Sequence, residues 1–204
     1  MPRKHIKRIR HSRRPDVSGP AHVTVRIRAG LPSMRTPRAY RRLERAFRKG
    51  KEKPGFRLVQ YVVISNHMHL FIDAADRYSL AKGMQALQVR IARALNKHWH
   101  RKGRLFFDRY HSRAIKQSLH QIKKVLRYIL QNARKHGVSL PKGEADPYSS
   151  APWFNWWQKR EMKRPLRSPP VADPSKCIAT AFAHQHGLDI DDLPGPRLHL
   201  GPFW

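Results

Sequence analysis

Cysteine is all but absent: Cys177 is the only one in 204 residues. A lone thiol excludes intrachain disulfides and every zinc site built on paired cysteines, including the His-x-Glu plus Cys-x-x-Cys arrangement of zinc deaminases. Acidic residues are scarce as well, 13 against 43 Lys and Arg, for a formal charge of +30. No run approaches eighteen apolar residues, so no segment reads as a transmembrane helix. The Arg-rich stretch 1–10 is not followed by the apolar segment of a signal peptide. These absences predict a soluble cytoplasmic protein of a reducing compartment, with no membrane partner.

A cationic excess of this size calls for a polyanion, and nucleic acid is the first candidate. If six to ten phosphates were neutralised, affinity would fall by roughly three to five orders of magnitude between 50 and 200 mM salt. Charge alone does not choose between DNA and RNA. The length suits one domain with extensions. Residues 1–20, with seven Lys or Arg in the first fourteen positions, read as a basic N-terminal arm. Residues 21–157 read as the folded domain. Residues 158–204, rich in proline beyond Pro165 and with acids at Asp189, Asp191 and Asp192, read as a loosely ordered extension.

Within the domain, 22–28 alternates with β-branched residues and predicts a strand. Thr36-Pro37 is a cap followed by a first-turn proline, and Tyr40, Leu43 and Phe47 recur at helical spacing until Gly50. Residues 56–64 and 67–72 predict two antiparallel strands around a tight turn at Ser65-Asn66. Leu80, Met84, Leu87, Ile91 and Leu95 lay one apolar stripe on a second helix, and 104–115, rich in aromatics, predicts a fourth strand. The order β-α-β-β-α-β is that of a ferredoxin-like α+β fold, an antiparallel sheet with both helices on one face and the other face open.

Two chemical features stand out on this frame. In an extended strand alternate side chains share a face, so His67 and His69 project together while Met68 projects oppositely. That spacing allows a two-pronged metal clamp. After the fourth strand, Ser118-Leu-His-Gln121 has capping-box form and opens a helix whose buried stripe is Ile122, Val125, Leu126, Ile129, Leu130 and Ala133. Tyr128 and Asn132 fall on its flank with Gln121, Lys124 and Lys135, four apart and stacked. By helix position Tyr128 reads as a boundary tyrosine with its hydroxyl in water, or as a functional phenol.

Together these pieces resemble a known family. Ser65-Asn-His-Met-His-Leu-Phe-Ile72 is similar to the HUH motif (His, bulky hydrophobic, His), and Tyr128-Ile-Leu-Gln-Asn132 to the nucleophile helix of single-tyrosine HUH transposases. The branch most resembled is that of the REP-associated tyrosine transposases. The resemblance spans roughly 20–155 and includes Asp108-Arg-Tyr-His111 and Asp146-Pro-Tyr-Ser-Ser150. Ser65 and Ala133 stand where the family commonly has proline, which touches turn geometry rather than chemistry.

The resemblance implies that Tyr128 is the nucleophile, that His67 and His69 are metal ligands, and that Asn132 supplies a third ligand from the nucleophile helix. Two imidazoles and an amide oxygen leave coordination positions open for Mg²⁺ or Mn²⁺, with imidazole favouring Mn²⁺. A phenol of solution pKa about 10 needs the metal's field or a basic neighbour, and Lys124 and Lys135 share its flank. The implied reaction is nicking and rejoining of single-stranded DNA through a 5′-phosphotyrosine. The implied partner is DNA carrying a hairpin or palindromic end, and the implied location is the bacterial nucleoid.

Arg26, Arg109, Arg113, Lys116 and Lys124 are the candidate DNA-backbone contacts. Trp153, Phe154, Trp156 and Trp157 offer stacking surfaces but read chiefly as packing residues. The competing reading is a non-catalytic basic ferredoxin-like RNA- or DNA-binding protein, although the strands carry no aromatic RNA-recognition signature. The sequence leaves a monomer and a homodimer equally open. It does not separate a mobile transposase from a domesticated nuclease.

Overall fold

A computed structural model describes residues 17–158, 165–174, 176–182 and 187–191. Residues 1–16 of the basic arm expected over 1–20, and Asp192, lie outside the described residues, whereas Val17 is buried and Gly19 and Pro20 already belong to the first strand.

Five strands form one antiparallel sheet: β1 (Gly19–Arg26), β2 (Glu52–Lys53), β3 (Phe56–Val63), β4 (His67–Ala74) and β5 (His111–Ala114), in the order β2-β3-β4-β1-β5. Helix α1 (Pro37–Gly50) follows β1 and α2 (Arg77–His98) follows β4. With the two-residue β2 set aside, this is the expected ferredoxin-like βαββαβ order. Helix α1 starts as its sequence dictates, with the Thr36 hydroxyl accepting from the Ala39 amide and Pro37 in the first turn. The α2 stripe Leu80, Met84, Leu87, Ile91 and Leu95 is buried against Val23, Val25, Met68, Leu70 and Ile72 of the sheet. No helix among the described residues is long and apolar enough to cross a membrane.

The fourth strand is shorter than its composition predicts. Only His111–Ala114 pairs with β1, and Phe106 makes an isolated bridge to Ile27. Between them the Asp108 carboxylate accepts from the Arg109 amide at 2.7 Å, a local turn that interrupts the ladder.

The second face of the sheet is only half open, which corrects the expectation. Helix α3 (Leu119–Leu130), capped by the Ser118 hydroxyl on the Gln121 amide, lies over β3 and β4. Its apolar stripe joins Val59, Val62, Ile64 and Phe71 in a second core. Phe154 and Trp157 complete that core, as packing residues should, together with α5 (Lys176–Phe182). The described part of the extension is therefore packed: Ile178, Ala181, Phe182, Leu188 and Ile190 are all buried there.

The Asp146-Pro-Tyr-Ser-Ser150 segment locks the β3 edge. The Asp146 carboxylate takes both guanidinium nitrogens of Arg35 at 2.9 Å, and the same guanidinium donates to the Val63 carbonyl at 2.8 Å. The Ser150 hydroxyl accepts from the Tyr61 amide and donates to the Gln60 side chain. This clamp fixes the end of β3 just before the turn into the histidine strand.

Candidate active site on the histidine face

The β1–β4 register sets Thr24 beside His69 and Arg26 beside His67, and the β1–β5 register sets His111 beside Thr24 and Arg113 beside His22. Because Val23, Val25, Met68 and Leu70 enter the first core, all of these polar residues share the opposite face. The part of it over β3 and β4 is roofed by α3. Toward β5 it opens, and Arg26, His111 and Arg113 are exposed.

Tyr128 hangs from α3 over this face. Its ring lies edge-on to His69 at 5.3 Å between centroids and to His22 at 5.7 Å. It is 8% exposed. The expectation of a boundary tyrosine with a solvated hydroxyl is thus corrected: the flank it occupies packs on a dry layer of imidazoles rather than facing water. Lys135 Nζ stands 5.1 Å from the centre of the phenol ring, and Lys124 is exposed on α3.

Three imidazoles meet beside the phenol. His67, His69 and His136 each bring one ring nitrogen, and these nitrogens lie within 4.8 Å of one another. His67 Nδ1 is 2.8 Å from Asn66 Oδ1. An amide oxygen only accepts, so Nδ1 carries the proton and Nε2 keeps its lone pair. His69 Nδ1 has two neighbours at 3.1 Å, His22 Nε2 and Thr24 Oγ1, whereas His69 Nε2 is buried without a hydrogen-bond partner. A buried, partnerless ring nitrogen beside two further imidazoles is a donor set that fits a divalent ion, with strand and turn groups orienting the rings from behind.

The electrostatics favour neutral rings. Burial pulls His22 down to about 3, helped by His111 and Arg113. It pulls His67 down to about 4, helped by His136 and Arg26. His69 lies well below its ordinary value for the same reason, with His22, His67, His136 and Lys135 adding to the effect. Neutral imidazole is the form that coordinates a metal.

Asn132 is not stacked one turn beyond Tyr128 on a continuous helix. Helix α3 ends at Leu130, Gln131 departs from helical geometry (φ −111°, ψ 9°), and Asn132 opens a short helix α4 (Asn132–Lys135). The Gln131 side chain is held by the Asp189 carbonyl, which pins the break. Asn132 is fully buried, and neither its Oδ1 nor its Nδ2 has a hydrogen-bond partner.

Of the remaining candidates, Arg26 and Arg113 lie on the open half of the histidine face. Lys116 follows β5 and Arg109 sits in the bend before it, both exposed. Sequence reasoning passed over His22, Thr24, His111 and His136. The period-two pattern of 22–28 carries a signal for the first two, since it places His22 and Thr24 beside Arg26. Nothing local announces His136, which reaches the site through the break at Gln131 and the turn at Gly137 (φ 74°).

Comparison with curated proteins gives no significant match. Among solved structures, a REP-associated tyrosine transposase bound to a REP hairpin superposes with a TM-score of 0.56 at 22% identity, covering 69% of this chain and 81% of that one. A putative transposase from Deinococcus radiodurans covers 58% of this chain and 92% of its own, at 17% identity and a TM-score of 0.41. The first superposition agrees with the ferredoxin-like sheet described above. The family model for IS200-like transposases matches residues 22–132, from the first site histidine to the buried asparagine. By that match over more than half its length, the chain belongs to the IS200-like transposase family.

Proposed function

We propose that this transposase-family chain nicks and rejoins single-stranded DNA with Tyr128 as its nucleophile. The observation that carries the reading is the edge contact of the Tyr128 phenol with His69, whose outer nitrogen is buried without a partner. Tyr128 Oη attacks the scissile phosphorus as its proton leaves, the bond from phosphorus to the 3′ oxygen breaks, and that oxygen takes a proton. The products are a 5′-phosphotyrosine and a free 3′-hydroxyl. The reverse attack by a 3′-hydroxyl restores a phosphodiester without external energy.

His67 and His69, with the more exposed His136 beside them, would hold a divalent ion for which Asn132 would be a further ligand, Mn²⁺ being better matched to imidazole than Mg²⁺. Such an ion offsets charge on a scissile phosphate and lowers the cost of forming a phenolate. Thr24 and His22 fix the His69 ring from behind, and Asn66 fixes His67. Lys135 Nζ, 5.1 Å from the centre of the phenol ring, places a cation where negative charge gathers during the attack. Arg26 and Arg113 line the open half of the face, where a strand can enter, and the exposed Lys116, Lys124 and Arg109 would add contacts to its backbone. Both halves of the site belong to one chain, so a monomer suffices.

DNA with a hairpin end is the substrate class, because the superposed relative is one bound to a REP hairpin. The test is incubation of Mn²⁺-loaded protein with labelled hairpin oligonucleotides carrying a single-stranded arm. Wild type should give a tyrosine-linked adduct. Tyr128→Phe should bind the same DNA within about twofold and give none. An adduct that survives Tyr128→Phe overturns the assignment, and cleavage unaffected by chelation overturns the metal.

A further inference from the structure

Acids are scarce in this chain, yet Asp189 and Asp191 both close on the junction between α3 and α4 from late in the polypeptide. The Asp189 carbonyl accepts from the Gln131 side chain on one side of the break. On the other side one carboxylate oxygen of Asp191 accepts from Arg134 Nη2 at 3.2 Å and from the Gly143 amide at 2.8 Å. The Asp191 amide donates to the Asp189 carboxylate at 2.9 Å, so the two acids hold each other in place. The Arg134 and Asp191 side chains are 15% and 24% exposed, which leaves their charges only partly screened by solvent.

Helix α4 depends on such a hold. Helix nucleation is unfavourable, and isolated helices shorter than about 12 residues are marginal in water. Helix α4 has four residues and no side-chain cap at its start. Its place is set from outside, by the burial of Asn132 and Ala133 and by the bonds of Arg134. The Arg134 guanidinium also donates to the carbonyls of Leu140, Pro141 and Glu144, and Asp191 ties it to the same loop through Gly143. The His136 amide donates to the Asn132 and Ala133 carbonyls, and the Gly137 amide donates to the Arg134 carbonyl. Arg134 and His136 thus share one hydrogen-bonded turn, and a displacement of the first carries the second.

From this we infer that Asp191 is a positioning residue of the imidazole cluster: through Arg134 it holds α4 where the His136 ring nitrogen stays within 4.8 Å of those of His67 and His69. That role rests on the reading of the three imidazoles as a metal site. His67 and His69 need no such anchor, because β4 is paired with β1 on one side and β3 on the other. His136 is exposed and enters from a separate element, so its place in the donor set depends on what fixes that element. Asp191 acts through the turn it holds and not by ligation.

The test is a double-mutant cycle on Mn²⁺ affinity, read by electron paramagnetic resonance on the full chain without DNA. Asp191→Ala should weaken Mn²⁺ binding by about tenfold, a loss typical of removing an orienting partner. Asp191→Asn keeps the volume and an acceptor oxygen, and should lose about threefold, since a neutral hydrogen bond is roughly half as strong as a charged one. Should the alanine variant fail to fold, the asparagine variant carries the cycle. In the His136→Ala background either change should cost less than about twofold, because the ring that Asp191 positions is gone. A general loosening of the fold would weaken Mn²⁺ binding equally in both backgrounds, and that additive result overturns the inference. Mn²⁺ binding that is lost in His69→Ala but indifferent to both Asp191 changes overturns the positioning role alone. Binding that survives His69→Ala unchanged overturns the metal reading and the positioning role with it.

Discussion

Acid should unfold this protein through its histidine face. In the unfolded chain His22 takes up a proton near its ordinary 6.5, whereas in the fold burial holds it down to about 3. The folded state therefore binds fewer protons throughout that window, and stability falls as pH falls. The contribution is fully present above pH 6.5 and is lost progressively toward pH 3. Each pH unit below 6.5 costs about 1.4 kcal/mol, so His22 alone removes about 2 kcal/mol between pH 7.5 and 5.0. His67, held to about 4, acts in the same direction. Urea unfolding followed by circular dichroism at half-unit pH steps, in EDTA, reads the effect. His22→Phe keeps an aromatic ring against His69 and Tyr128 but deletes the titrating group, and its pH slope should be shallower than wild type by about 1.4 kcal/mol per unit. A flat wild-type profile between pH 7.5 and 5.0, or a His22→Phe slope equal to wild type, would refute the claim that the face is dry.

Three further outcomes follow from the geometry. Asn132→Leu removes two buried, partnerless polar atoms at similar volume, so in EDTA it should stabilise the fold by about 1–3 kcal/mol while weakening Mn²⁺ binding; a loss of stability would mean that the amide has a partner in the fold. Mn²⁺ titration followed by electron paramagnetic resonance should show His69→Ala losing affinity by more than about 100-fold and His136→Ala by about tenfold, and equal affinities in all three proteins would remove the imidazoles from the metal site. Gly83→Ala would set a methyl 2.1 Å from the Phe56 ring, a clash that outweighs the helix-propensity gain of about 1 kcal/mol and should lower the melting temperature by several degrees.

Much of the fold was legible because it is written in local periodicity. The Thr36-Pro37 start, the Leu80-to-Leu95 stripe and the alternation around His67 each depend on neighbours in sequence, and each appears as read. The fourth strand was overread because aromatic content speaks for strand, while the Asp108 side chain that breaks the ladder acts through a single hydrogen bond. The packing of the extension's described part was hidden for a related reason. Its apolar residues are sparse along the chain and find their core only by reaching α3 from a distance. At the site, the pairing of His67 with His69 follows from strand geometry alone. The burial of Tyr128 does not, because a helical wheel shows which flank a residue occupies and not that a second sheet face, paved with imidazoles, will cover that flank. His136 required the break at Gln131, which no residue pattern in 118–135 foretells.

His67 and His69 ride on β4, which is hydrogen-bonded on both sides within the sheet, whereas the phenol rides on a helix seated by the second core. The proposed nucleophile and the two strand-borne imidazoles are thus carried by elements with separate foundations. Trp157, Phe182 and Ile190, far along the chain, are the bearings on which that helix is seated. Wear at those bearings would misalign the phenol, and His136 with it, while His67 and His69 stay on their strand, so the proposed nucleophile can be tuned by substitutions in the last quarter of the polypeptide.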